Sequence, residues 1–319
     1  MLSSRGIAPA EGITTLDAAF EEATGSIRLL SSSPRGSTPS QLVRPQGAIR
    51  KLPSYHFSRE FEVTADELLA ALRPGTGQPE TLESLINDRL EGPWGILTEW
   101  ALTLEHLLLG AIDGVVYDAD NATILYDFFG WTGTTRPAPV TIPFSTSTSD
   151  TAVIVQRALG LKRQVVRALN GLPTSKAMIT VLCGDNFFDD FWTCREVVHA
   201  RKFDALGSQD IAKAISESTP YSAFSYAGIL WVNYRGTDDN ATVAVPTDEA
   251  RLFVEGVPGL FQTYYAPADS MEAVQAPGEQ LYVLRRPERQ TSKQVVLEVQ
   301  SNPLIACIRP QSLRRLVRG

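Results

Sequence analysis

From Leu82 to Ile112 the apolar residues return at steps of three and four: Leu82, Leu85, Ile86, Leu90, Trp94, Leu97, Ala101, Leu104, Leu108 and Ile112. That spacing is one face of an α-helix. Thirty-odd residues rising about 1.5 Å each give a rod of roughly 50 Å, longer than a small domain is wide. The rest of the chain must therefore be laid along this rod. The sequence Gly-Pro-Trp-Gly at 92–95 interrupts it. Pro93 has no amide hydrogen and its ring clashes with the preceding turn, which predicts a kink near residues 89–92 built on Gly92, Pro93 and Gly95. The opposite face carries Glu83, Asp88, Glu91, Glu99 and Glu105, which reads as a solvated acidic stripe.

The residues before the rod are of the opposite sign. After a short arm with a helical pattern at TTLDAAFEEA, residues 24–59 contain Arg28, Arg35, Arg44, Arg50, Lys51 and Arg59 and no acidic residue. The stretch is rich in Ser, Pro and Gly and closes on AIRKLPSYHFSREFEV, which reads as an extended strand. Segments of this length without helix or strand are uncommon inside a compact domain and are usually functional or disordered. A basic excursion beside an acidic helix face favours pairing between subunits, with Arg35, Arg44, Arg50, Lys51 and Arg59 set against Glu83, Asp88, Glu91 and Glu99.

Beyond the rod, DGVVYDADNATILYDFFGW places Asp113, Asp118, Asp120 and Asp127 within fifteen positions. A calcium loop would need an oxygen ligand, a Gly and a Glu where Ala122, Thr123 and Phe129 stand. The β-branched and aromatic runs on either side of DADNA instead predict a hairpin. TGTTRPAPVTIPFSTSTSD reads as a linker, 151–170 as an amphipathic helix and 177–184 as a buried strand. NFFDDFWTCREVVHARKF reads as one helix with Asn186 as its N-cap. Strands follow in AFSYAGILWVNYRG, around a Tyr-Ala-Gly turn, in EQLYVLRRPER and in KQVVLEVQSNPLIACIRP, before a basic tail.

Nothing in this order supplies a catalytic centre. His56, His106 and His199 are far apart and have no second ligand at metal spacing. Cys183, Cys194 and Cys307 form no C-x-x-C and read as buried free thiols of a reducing compartment. There is no Gly-x-Ser-x-Gly, no complete Gly-x-Gly-x-x-Gly and no Gly-Lys-Ser/Thr, and no cofactor is expected. The net charge of −7 over 319 residues argues against a reader of nucleic-acid sequence. No run of eighteen apolar residues lacks a charge, so no membrane span is expected, and the N-terminus has no signal-peptide core.

The order of parts resembles the Hong Kong 97-type fold of tailed-phage major capsid proteins. The motifs GVVYDADNATILYDFF, LCGDNFFDDF, DEARLFVEGVPGLFQTYYAPADSMEAV and EVQSNPLIACIRPQSLRRLV are similar to those of the lambda-type major capsid protein E family. The last follows that family's QSNPLPLCTRP ending, with Ile305 and Ala306 where Pro and Leu are common. The resemblance covers about residues 28–319.

It implies an α+β fold with an N-terminal arm (1–27), an extended loop (28–61) and a spine helix with the peripheral-domain hairpin (62–149). An axial α/β domain (150–280) and strands returning to the peripheral β-sheet domain with a C-terminal tail (281–319) would follow. It further implies an icosahedral shell of pentamers and hexamers around non-specifically held double-stranded DNA, assembled in the host cytoplasm. A separate scaffolding protein, a portal and a decoration protein are its implied partners. An encapsulin-like compartment of the same fold is the alternative reading; a soluble α/β enzyme would leave the basic loop unexplained.

Overall fold

Two helices occupy the place of the single rod. In a computed structural model, residues 2, 5–23, 47–70, 81–147, 151–169, 172, 176–203, 223–237, 243–273, 275–287, 291 and 293–319 are described. Strands β1 (Ala10–Gly12), β2 (Asp17–Ala23), β3 (Gly47–Pro53) and β4 (Phe57–Thr64) precede helices α1 (Ala65–Ala70), α2 (Leu82–Glu91) and α3 (Ile96–Asp113). The hairpin β5 (Val115–Tyr117)–β6 (Ile124–Asp127), α4 (Phe128–Thr132) and β7 (Val140–Ile142) follow. Then come α5 (Val153–Leu169), β8 (Met178–Cys183), α6 (Asp185–Thr193), α7 (Arg195–Phe203), β9 (Ala223–Tyr226) and β10 (Ile229–Asn233). The chain closes with β11 (Glu249–Glu255), β12 (Phe261–Tyr265), β13 (Tyr282–Arg285), β14 (Gln294–Ser301), β15 (Pro303–Cys307) and β16 (Arg314–Arg318).

The largest sheet has the order β7-β16-β11-β8-β10-β9. Val181, Trp231 and Leu252 are register partners and share one face of it. On that face Trp231 stacks on Phe191 of α6, with ring centroids 4.5 Å apart, and also on Phe187. Arg314 pairs with Leu252 and so lies on the same face, where its Nε donates to Gln164 of α5 at 3.4 Å. Helices α5 and α6 thus form one layer. The other face carries Phe253, edge-on to Phe261 of β12, and Arg251, which reaches Asp113 at the end of α3. The sheet is therefore held between a helical layer and the layer containing α3, β12 and β15.

Smaller sheets are β1-β12-β15, β13-β14-β4 and the ribbon β2-β3. The closing strands divide among them. β14 pairs with β4 and β15 with β12, whereas β16 inserts between β7 and β11 of the large sheet.

Several expectations change. The arm's TTLDAAFEEA pattern gives a strand, not a helix: Ala18 and Phe20 are buried at alternate positions, and pairing with β3 over Asp17–Ala23 overrides the helix propensity of Ala and Glu. AIRKLPSYHFSREFEV is two strands separated at 54–56, and the linker contains β7. The helix expected from Asn186 starts at Asp185 with Gly184 as its cap and breaks at Cys194, whose backbone is extended. Asn186 instead donates its side-chain amide to Asp248.

The rod does not merely bend. Gly92 and Gly95 are both extended, as the residue before a proline must be at 92, so the helix stops and restarts. The turn rotates Trp94 off the buried face into solvent. The segment Leu82–Asp113 reaches the length and mean hydropathy (1.2) of a membrane span. The buried residues of α3, Leu104, Leu107, Leu108, Ala111 and Ile112, account for that hydropathy as a core face.

Replacing Phe191 by Ala removes the ring under Trp231 and is expected to lower unfolding stability by about 3–5 kcal/mol, measured by urea denaturation.

Candidate assembly interface

The four aspartates of the hairpin region are each engaged by this chain. Asp118 accepts from the Ala119 amide, and Asp120 accepts from the Ala122 and Thr123 amides and the Thr123 hydroxyl. These bonds to Asp120 hold its carboxyl below the usual range. Asn121 takes the left-handed conformation at φ 53° that the turn needs. Asp127 caps α4 by accepting from the Phe129 and Gly130 amides. Asp113 pairs with Arg136 at 2.6 Å and with Arg251. Among the described residues no group of three or more His, Cys, Asp or Glu side chains could hold a metal ion.

Asp113 is one end of an ionic joint between the rod and the large sheet. Arg251 also pairs with Glu249 at 2.8 Å, and Glu249 accepts from Arg315 Nε at 2.8 Å. The joint thus ties α3, the segment after α4, β11 and β16. A second tie lies deeper. Glu105, expected on the solvated stripe, is fully buried. It accepts from the Leu2 amide at 2.6 Å and from the Tyr234 hydroxyl at 2.7 Å. The C-terminal half of α3 is enclosed on several sides, so its buried arc is wider than one apolar stripe. The signal available in the sequence was a lone acid inside ALTLEHLLLGAI. A third carboxylate, Glu196, accepts from the Ile154 and Val155 amides at the start of α5, and from the Ser147 and Tyr226 hydroxyls.

The residues singled out for contacts between subunits fall into three groups. Arg35 and Arg44 lie outside the described residues. Arg50 donates to the carbonyls of Trp131 and Thr132 of its own chain. Arg59 and Glu99 are brought together, with Nε 3.4 Å from Oε2, and both side chains are exposed. Lys51, Glu83, Asp88 and Glu91 are exposed. Gly92, Pro93 and Gly95 form the break in the rod, where a side chain at Gly92 or Gly95 would strike the carbonyls of Asp88 and Leu90. His56, an exposed residue, lies against Asn302, and the half-buried His106 against the Tyr117 carbonyl. The three cysteines are buried and free.

This arrangement of a long interrupted helix, flanking small sheets and a large mixed sheet under a helical layer is the fold of tailed-phage capsid proteins. The capsid structure of the cyanophage P-SCSP1u superposes with a TM-score of 0.50 at 10% identity, over 98% of this chain and 86% of that one. The mature capsid of bacteriophage PhiM1 gives 0.50 at 12% identity, over 99% and 86%. At such identities the likeness concerns the fold. The sequence goes further: the family described as phage major capsid protein E matches residues 1–318, and the chain belongs to that family. The major capsid protein of Pseudomonas phage KPP10 is 24% identical over 291 residues, 87% of this chain and 80% of that protein. The chain is a structural subunit that assembles with its own copies into a phage capsid, and not an enzyme.

The ionic joint sets a pH dependence. Burial pushes the Glu249 carboxyl up, but the guanidiniums of Arg315 and Arg251 outweigh it and hold it below its ordinary value. A carboxyl depressed in the folded state contributes stability that is complete above its unfolded pKa and lost as pH falls through its folded one. Unfolding free energy is expected to fall as pH drops below about 4.3, less steeply in Glu249→Gln than in the parent, by denaturation at graded pH. Glu105→Ala strands two buried donors and is expected to cost roughly 1–3 kcal/mol for each, read from urea unfolding.

Proposed function

We propose that the chain builds an icosahedral shell of pentamers and hexamers enclosing double-stranded DNA, in which the basic stretch 28–61 of one copy reaches the acidic outer side of a neighbour's spine, α2 and α3. The observation that carries this reading is the mismatch of charge within one copy. Glu83, Asp88 and Glu91 have no ion-pair partner among the described residues, and a stretch of six cations without an acid stands before them. Exposed pairs contribute only about 0–1 kcal/mol each, but a closed shell repeats every contact around its symmetry axes. The Arg59–Glu99 pair supports the match of chemistry between strand β4 and the rod.

In this reading residues 1–27 are the arm, 62–149 the spine and peripheral hairpin, 150–280 the axial domain around the five- and six-fold axes, and 281–319 the returning strands and tail. A separate scaffolding protein directs closure in the host cytoplasm, a portal occupies one vertex and a decoration protein binds outside. DNA is held through its backbone without base preference. The break at Gly92–Gly95 acts as a hinge of the spine when the shell expands.

Lys51→Glu is expected to slow assembly at low salt, with a smaller effect at high salt where exposed charges are screened, and reversal of Glu91 to Lys in the same chain is expected to restore part of the rate. Sedimentation velocity with and without a scaffolding partner, followed by electron microscopy and nucleic-acid content of the fast fractions, is the check. A stable monomer under every condition rejects the reading. Pro93→Ala lets the rod run closer to continuous and is expected to change expansion kinetics, measured by light scattering of purified shells.

A further inference from the structure

Trp94 is 95% exposed, the largest apolar side chain that the described residues leave in water. The turn that carries it has glycines at both sides where side chains would collide with the carbonyls of Asp88 and Leu90, so the backbone is committed to presenting the indole outward. Leu69 on α1 is 83% exposed, and neither α1 nor α2 contains a buried residue. Arg89, near the end of α2, pairs with Glu67 of α1 and holds α1 beside the helix end that leads to Trp94. Among the described residues this end has helices without a core beneath them, with Glu83, Asp88 and Glu91 exposed beside them. Helical stability comes mostly from packing of the apolar face, so such a face calls for a cover.

We propose that this face is the docking site for residues 24–46 of a second copy, with Trp94 as its apolar anchor. The inference rests on the reading of 28–61 as the loop that reaches a neighbour, and places the energy of that contact in the indole instead of the ion pairs. Ala23 and Gly47 are register partners at the end of the β2–β3 ribbon, so the segment leaves and re-enters at one ribbon end. It carries Arg28, Arg35 and Arg44, no acid, and the apolar Ile27, Leu30 and Leu42. Its charge complements the acidic rim, its apolar residues match the uncovered helices, and an arginine over the indole adds a cation–π contact. An identical acidic face would repel this one, so contact between two Trp94 faces is disfavoured. The ribbon's own base is fixed to its chain, where Phe20 packs edge-on against Trp131 and Tyr264.

The experiment compares Trp94→Ala, Trp94→Phe and a variant with 24–46 replaced by a short Gly-Ser turn, each checked for folding by circular dichroism. Assembly is followed by sedimentation velocity at low and high salt, and indole burial by the emission shift that Trp94→Phe removes. Trp94→Ala is expected to raise the assembly concentration about tenfold or more, as anchors of interfaces do, at both salt concentrations, while Trp94→Phe stays near the parent. The emission of Trp94 is expected to shift to the blue on assembly and not in the replaced-loop variant.

If Trp94→Ala assembles like the parent while loop replacement abolishes assembly, the loop reading stands and this inference fails. If loop replacement leaves assembly intact, the loop reading itself fails. A blue shift that survives loop replacement assigns the face to another partner and overturns the proposal. Indole shielding already present in the unassembled subunit assigns it to the chain's own loop, with the same result.

Discussion

A carboxylate without solvent contact sits at the centre of this subunit. Glu105 projects from the middle of α3 and is shared by the backbone near the start of the chain and by Tyr234, whose own amide bonds to Cys183 of the large sheet. A buried carboxyl group is tolerated only when it is hydrogen-bonded. Each partner must therefore be in place for the others to be favourable, and the rod, the N-terminal segment and the sheet become one unit. The ionic joint at Asp113 repeats the arrangement at the rod's end with more exposed groups. Between the two anchors α3 cannot slide against the sheet without breaking buried hydrogen bonds at one and ion pairs at the other.

Among the described residues the opposite end of the rod has no such anchors. Helices α1 and α2 meet the body only through partly covered residues, and the turn at 92–95 separates them from α3. One subunit thus combines an over-determined body with an end whose packing is unfinished. For a protein whose fold and family are those of a capsid, this division is physically economical. Under the proposed function the body keeps its shape while that end takes further contacts from the assembly.

The readable parts of the sequence were those governed by local rules. The step pattern of α3, the amphipathic α5, the DADNA turn and the Tyr-Ala-Gly hairpin, with Ala227 and Gly228 both at positive φ, depend on neighbours in sequence. Motif order in the chain was enough to reach the capsid family. What escaped depends on distant partners. DAAFEEA is a strand because Gly47–Pro53 lies beside it, and VTI at 140–142 is a strand because it pairs with Arg314–Arg318. Glu105 is buried because residues more than a hundred positions away on each side enclose it. Trp94 fits the apolar period and is nevertheless outside it, because a proline-containing turn resets the phase of the helix and period alone does not carry that reset.

The insertion of Arg314–Arg318 between β7 and β11 has a consequence for the order in which the chain folds. The large sheet joins a strand near residue 140 to one at the very end of the described chain, and pairings of such separation form slowly because loop closure precedes any reward. During synthesis that sheet has a gap until residues 314–318 have left the ribosome. A truncated chain lacks the strand that fills it and Arg315, one of the two guanidiniums on Glu249. Closure of the large sheet is thereby tied to the synthesis of β16, and a chain broken before residue 314 leaves β7 and β11 without the strand between them.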